Sequence, residues 1–335
     1  MRAAALVVAL AGACAPAPPT TETAGTAAPV PAVVVAPSSQ LASSQTTAPT
    51  VPPAVASSAS SSDRWLEPRL DRWRFPRSAA GSIEVVVSIP RRRPGQRFPV
   101  LIALHGQGEA FRGPTRGALG WWKDYALERA VRRLGAPPLT QTDFSGLTPR
   151  PRLERFNESL AARPFQGLVV VMPYTPDILQ GEKKMAAAAP FARFVAETLL
   201  PKIESLGEAG SAVGIDGVSL GGRVALFTGT ALPERFAVVA AMQPAIYPHE
   251  LPRWERRLER AVRQNPALAI RLLTSTGDFY RGTVERLSRA LTRRALKHHF
   301  TVADGPHNYA FNRGPGVFEM LVFHDRVLRG ARTFE

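Results

Sequence analysis

The chain has 335 residues, with 42 Lys and Arg against 27 Asp and Glu, a formal net charge of +15 and 45% hydrophobic residues. Its single cysteine, Cys14, excludes an intramolecular disulfide framework, and no pair of histidines has the helical or loop spacing of a zinc site. The excess positive charge is mostly Arg scattered in short clusters such as Arg256-Arg257 and Arg293-Arg294, and no nucleic-acid-binding motif accompanies it, so a nucleic-acid partner is not expected.

The first residues read as an export signal. Arg2 precedes the apolar stretch 3–11, and Gly12-Ala13-Cys14 supplies the small residues of a cleavage region. The stretch is too short for an ordinary membrane-spanning helix. A cut after residue 13 would leave Cys14 at the new terminus, in a context resembling a bacterial lipoprotein box, and lipidation there would tether the protein to a membrane. Ala11-Gly12-Ala13 fits ordinary A-x-A cleavage and soluble secretion as well. Residues 14–62 are almost entirely Ala, Pro, Ser, Thr and Val, a composition that cannot bury a core and reads as a linker. A single folded domain is expected over 63–335, long enough for a sizeable sheet covered on both faces.

Within that domain, 83–89 has the composition of a strand, 91–96 is a Pro- and Gly-rich turn, and 99–104 is a second strand. It runs into His105-Gly106-Gln107-Gly108. The stretch up to 168 is longer than one helix needs and carries Trp121, Trp122, Tyr125, Phe144 and Phe156. Those aromatics either line a substrate pocket or pack the insert onto the core. Glu109, with Arg112 close by in sequence, either meets a polar part of a substrate or solvates its loop; Glu109, Trp121 and Trp122 are taken as candidate substrate-binding residues. Residues 168–172 form a buried strand. From Pro190, a good first helical residue, Phe191, Phe194, Val195, Thr198 and Leu199 fall on one helix face. Strands at 212–215, 237–242, 268–275 and 300–303 then alternate with helices, the mark of a mainly parallel sheet whose ligands sit at the strands' carboxyl ends.

Chemistry enters at Gly217-Val218-Ser219-Leu220-Gly221, a G-x-S-x-G pentapeptide between the strand 212–215 and a helix pattern starting near Gly222. Strand, sharp turn and helix around such a serine make a nucleophile elbow. A serine hydroxyl needs an imidazole to take its proton, a carboxylate to orient that imidazole, and N–H donors for the developing oxyanion. Asp278 follows the tip of the strand 268–275, and His307 follows 300–303, so the order is Ser219, Asp278, His307. Asp278 also reads as a cap for a helix over 283–296, with Asp304 and Asp216 as the other candidate acids. His105 reads as a residue that shapes its loop.

This order and these contexts resemble the esterase branch of the α/β-hydrolase superfamily, the secreted carboxylesterases that include feruloyl and acetyl-xylan esterases and polyester depolymerases. The resemblance extends over most of the chain from about residue 82, and includes the helix pattern from Phe194 and the strand pattern from Ala237. It implies an α/β-hydrolase fold with a mainly parallel eight-stranded sheet and helices on both faces. It also implies Ser219 as nucleophile, Asp278 as orienting acid, His307 as base, and the backbone N–H groups of Leu220 and Gln107 as oxyanion donors. The expected substrate is a small-molecule or polymer ester, hydrolysed without a cofactor or metal; a serine peptidase of the same fold and a non-catalytic binding lipoprotein are the alternatives. Met242-Gln243-Pro244 departs from the resemblance, standing where many relatives have serine or glycine before the proline. Oligomeric state is not legible in the sequence.

Overall fold

A computed structural model describes residues 68–91, 95–179 and 185–331. The signal region, Cys14, the linker and the expected domain start at residue 63 lie outside the described residues. Eight strands form one sheet in the order β1-β2-β4-β3-β5-β6-β7-β8. They are β1 Arg69–Ser78, β2 Gly81–Ile89, β3 Phe98–Leu104, β4 Val169–Pro173, β5 Ala209–Gly217, β6 Val238–Met242, β7 Ala269–Gly277 and β8 His299–Pro306. β1 and β2 pair antiparallel with each other and β2 pairs antiparallel with β4, whereas every pairing from β4 to β8 is parallel.

Alternation along each strand divides the core between the two faces. Val85 and Val87, Ile102 and Leu104, Val169 and Val171, and Val239 and Ala241 belong to one apolar cluster. Their neighbours Val86, Leu101, Ala103, Val170, Met172, Val238 and Ala240 belong to the other. Because a strand's side chains point alternately to opposite sides, these continuous apolar runs require helices on both faces. The helices used below are α1 Leu127–Leu134, α2 Arg150–Ala162, α3 Leu220–Ala231, α4 Leu251–Gln264, α5 Arg281–Arg293 and α6 Val317–Val327. Buried residues of α3, α4 and α5, with those of the helical run 189–204, join the first cluster, and those of α1, α2 and α6 join the second.

β1 is the strand that the sequence does not announce. Its sequence RLDRWRFPRS is rich in charge, and only Asp71, Trp73, Phe75 and Ser78 are partly covered. An edge strand needs an apolar side chain only at alternate positions on one face, and Arg and Pro on such an edge discourage pairing with other chains. α5 begins two residues earlier and ends three residues earlier than expected, with Ala295 in the left-handed region at φ 55° just beyond it.

Candidate active site

The carboxyl ends of β3, β5, β7 and β8 lie on the same side of the sheet because these strands run parallel to one another. Ser219 sits between β5 and α3 with φ 56° and ψ −115°, a conformation that costs a non-glycine residue on the order of 1–3 kcal/mol. Its surroundings fix it there. Ser219 N–H donates to the Met242 carbonyl at 2.9 Å, and the Ser219 carbonyl accepts from Arg223 and Ala245, each at 3.0 Å. The flanking glycines are required by close approach. A Cβ on Gly217 would lie 2.5 Å from the Gly221 carbonyl carbon, and one on Gly221 would lie 2.3 Å from the Leu104 oxygen. The sharp turn therefore brings the end of β3 against the start of α3.

His307, directly after β8, reaches Ser219 with Nε2 3.0 Å from the hydroxyl oxygen, while its Nδ1 lies 2.8 Å from Asp278 Oδ1. A neutral imidazole carrying its proton on Nδ1 donates to the carboxylate and accepts from the serine hydroxyl. Asp278 is held in turn: the Thr274 hydroxyl donates to Oδ2 at 2.6 Å and Tyr280 N–H donates to Oδ1 at 2.9 Å. The second bond is the local, helix-proximal bond expected of an aspartate before α5, so the same carboxylate orders that turn and meets His307. Among the other candidate acids, Asp216 faces His324 and Arg271 in the core.

Three features hold the His307 loop. Gly305, at φ 138°, donates its N–H to the Thr276 hydroxyl at 3.1 Å. Gln243, fully buried and at φ 44°, donates its side-chain amide to Ser275 Oγ at 2.6 Å and to the Pro306 carbonyl at 3.2 Å. The departure at Met242-Gln243-Pro244 thus bridges β7 to the residue immediately before His307. Phe279, 71% exposed, lays its ring over the imidazole with centroids 4.2 Å apart.

The loop after β3 faces the elbow. The position of a Cβ on Gly106 would be 3.8 Å from the Val218 carbonyl oxygen. Gly106 N–H donates to the Tyr125 hydroxyl at 3.0 Å, so it is already engaged. Gln107 and Leu220 each open a helical segment, and a first helical residue has no intrahelical acceptor for its N–H. The Gln107 side chain donates to Asp177 Oδ2 at 3.1 Å, which anchors the residue without using its backbone N–H. His105 is buried; Nδ1–H donates to the Gly106 carbonyl, and Nε2 accepts from Thr175 N–H, both at 2.9 Å. Burial pushes its pKa down to about 4, which keeps it neutral and makes it a fastener of this loop.

Glu109, Trp121 and Trp122 differ from the substrate-contact expectation. Glu109 is 1% exposed; the Tyr125 and Tyr309 hydroxyls both donate to its carboxylate, the latter at 2.6 Å. It is a buried brace between the β3 loop and the segment after His307, and burial followed by Glu109 raises the pKa of both tyrosines, that of Tyr309 to about 12. Trp121 and Trp122 are buried in the second apolar cluster, Trp121 edge-on to Tyr125 at 4.9 Å, as the packing alternative requires. The signals for Phe279 and Tyr309 were present only as adjacency to Asp278 and His307. Nothing in their own residue type marked them.

Residues 168–314 match the family model described as "Putative esterase". Solved structures share the architecture. A ferulic acid esterase superposes with a TM-score of 0.56 at 16% identity, covering 78% of this chain and 99% of its own. An S-formylglutathione hydrolase from Staphylococcus aureus gives 0.55 at 12% identity, covering 77% and 99%. The enterobactin esterase of Shigella flexneri gives 0.52 at 17% identity, covering 76% and 57%. None of the curated proteins matches the sequence.

Proposed function

From an α/β-hydrolase fold whose residues 168–314 match an esterase family, we propose that this chain is a serine hydrolase that cleaves a carboxylic ester through an acyl-enzyme. One observation carries the reading: Ser219 Oγ, His307 and Asp278 form a continuous hydrogen-bonded line, 3.0 Å and 2.8 Å long at its two joints. In the proposed first step Ser219 Oγ bonds to the ester carbonyl carbon as its proton passes to His307 Nε2. Asp278 stabilises the resulting imidazolium, and the N–H groups of Leu220 and Gln107 receive the negative oxygen. His307 then gives the proton to the departing alkoxide, and the alcohol leaves. Water enters in its place, loses a proton to His307 and attacks the acyl carbon, releasing the acid and restoring Ser219.

Phe279 lies exposed across the imidazole and offers the substrate an apolar surface beside the reacting atoms. Export with lipidation at Cys14 belongs to the proposal as well, and the mass of the mature amino terminus tests it. For the activity, the protein is treated with a fluorophosphonate and the label is mapped by mass spectrometry, beside Ser219→Ala and a panel of chromogenic esters and peptides. Label on Ser219, absent from the variant, with turnover of esters, is expected. Turnover of peptides alone would transfer the reading to a peptidase. A folded protein that takes no label would leave the binding-protein alternative.

A further inference from the structure

One face of α4 carries a single sign of charge. Arg253, Arg256, Arg257 and Arg260 follow the spacing i, i+3, i+4, i+7 that gathers side chains on one side of a helix, apart from the buried Trp254, Leu258 and Ala261. The two carboxylates of α4 are used elsewhere: Glu255 and Glu259 both meet Arg294, and Glu259 also meets Arg263. Like charges at these spacings work against the helix, as does Arg253 in a first turn that holds no acidic residue, where the backbone dipole disfavours a cation. An anionic partner would reverse that sign.

The four arginines line a recess of about 480 Å³ together with the segment 185–189 and Phe227 of α3. Met185 and Phe227 are buried there, whereas Ala186 and Ala189 are exposed. Arg257 is half-buried with its guanidinium 4.1 Å from the centre of the Phe227 ring, and it donates to the Thr230 hydroxyl at 3.1 Å and the Phe227 carbonyl at 3.0 Å. Both acceptors are neutral, so they orient the group and leave its charge. Burial, then the charges of Arg260 and Arg253, lower its pKa; the charged groups acting on it are cations. Arg253, Arg256 and Arg260 are exposed, and their side chains make no hydrogen bond or ion pair with another described residue.

We propose that this face docks onto an anionic lipid bilayer, lipid phosphates meeting the four guanidinium groups and the apolar recess receiving the glycerol and upper hydrocarbon of a lipid. A cluster of arginines on one helix face is drawn to anionic headgroups, and arginine's fork of donors suits phosphate oxygens. The recess gives a lipid an apolar contact that a bare phosphate lacks. No carboxylate or amide side chain lines it, so it lacks the mixed polar rim by which a protein partner is set in register. The formal net charge of +15 acts in the same direction. Neither the activity of Ser219 nor lipidation of Cys14 is needed for this docking.

The full chain is sedimented with vesicles of equal parts phosphatidylglycerol and phosphatidylcholine, and with vesicles of phosphatidylcholine alone. A photoreactive phosphatidylglycerol in the anionic vesicles reports the contact surface, its crosslinks mapped by mass spectrometry. Crosslinks in 185–189 and 251–264, and binding that weakens as salt screens the charges, are expected. Arg253→Gln, Arg256→Gln and Arg260→Gln combined should lower partition onto the anionic vesicles by roughly 100-fold, each arginine near such a surface being worth about fivefold. Lysine at the same three positions should restore most of it. Circular dichroism and thermal melting should show the glutamine variant folded, because its changes relieve repulsion along α4. Equal binding to neutral vesicles, crosslinks confined to residues 1–62, or unchanged partition of the folded glutamine variant would each overturn the proposal. So would binding of glycerol phosphate or polyglutamate at this face with no binding of vesicles, which would assign it to a small anion or an acidic protein.

Discussion

Two aspartate–histidine pairs occupy different regions of this molecule. At the carboxyl end of β7, Asp278 meets His307 at 2.8 Å, and the histidine side chain is 12% exposed. In the core, Asp216 meets His324 at 3.1 Å, and both side chains are fully buried. The first pair uses Nδ1 toward the carboxylate and leaves Nε2 for Ser219. The second uses Nε2, and its Nδ1 is buried without a hydrogen-bond partner among the described residues, 2.6 Å from where a Cβ on Gly214 would stand. Asp216 also accepts from Gly217 N–H at 2.7 Å and lies 3.9 Å from Arg271. An acid and an imidazole in contact therefore do not make a reactive site. Access and a third group at the free nitrogen separate the two: the proposed chemistry rests on the first pair, while the second is packed inside the core.

The sharpest separation comes from the same change in each pair. Asp278→Asn should reduce ester turnover by about 10⁴-fold in steady-state kinetics, because the amide no longer holds the useful tautomer or stabilises the imidazolium. Asp216→Asn should instead remove about 3 kcal/mol of folding stability in urea titration, since buried Arg271 loses part of its compensation. Turnover by the remaining folded protein should change by less than about tenfold. Loss of activity at Asp216 equal to that at Asp278, with stability intact, would break the comparison.

A third imidazole sharpens it. Above the ordinary pKa of 6.5, His105 is neutral in both folded and unfolded chains; below it the unfolded chain takes the proton first, until the folded state follows near pH 4. Stability should therefore fall by on the order of 3 kcal/mol as pH drops through that window, and His105→Asn should flatten this part of the profile. Burial lowers the pKa of His324 as well and contributes in the same direction. The smallest expected effect is at Gln243→Leu, which removes the amide donors to Ser275 and Pro306. A displaced His307 should lower kcat by about 10- to 100-fold with little change in KM, while thermal melting shows the protein still folded.

Much of the sheet was legible because buried parallel strands are written as unbroken apolar runs, as in 99–104 and 168–172, with helical periods between them. Ser219 was legible because the elbow's close approaches demand glycine at 217 and 221, and that demand is local. Asp278 and His307 were legible by order and by position after strands. β1 was not, since an edge needs few apolar residues, and Glu109 was misplaced because a lone carboxylate in a polar loop gives no sign of two tyrosines, one of them 200 residues away in sequence.

The sequence by itself determined the order of the strands from β2 to β8, the sharp turn at Ser219 and the candidates for its partners, all consequences of local sterics and periodicity. Only the tertiary structure decided which aspartate faces which histidine, that Trp121 and Trp122 pack inward, and that Gln243 reaches the His307 loop. Those outcomes depend on distances between segments far apart in the chain, which are set by the sheet's pairing and the packing of helices on its two faces.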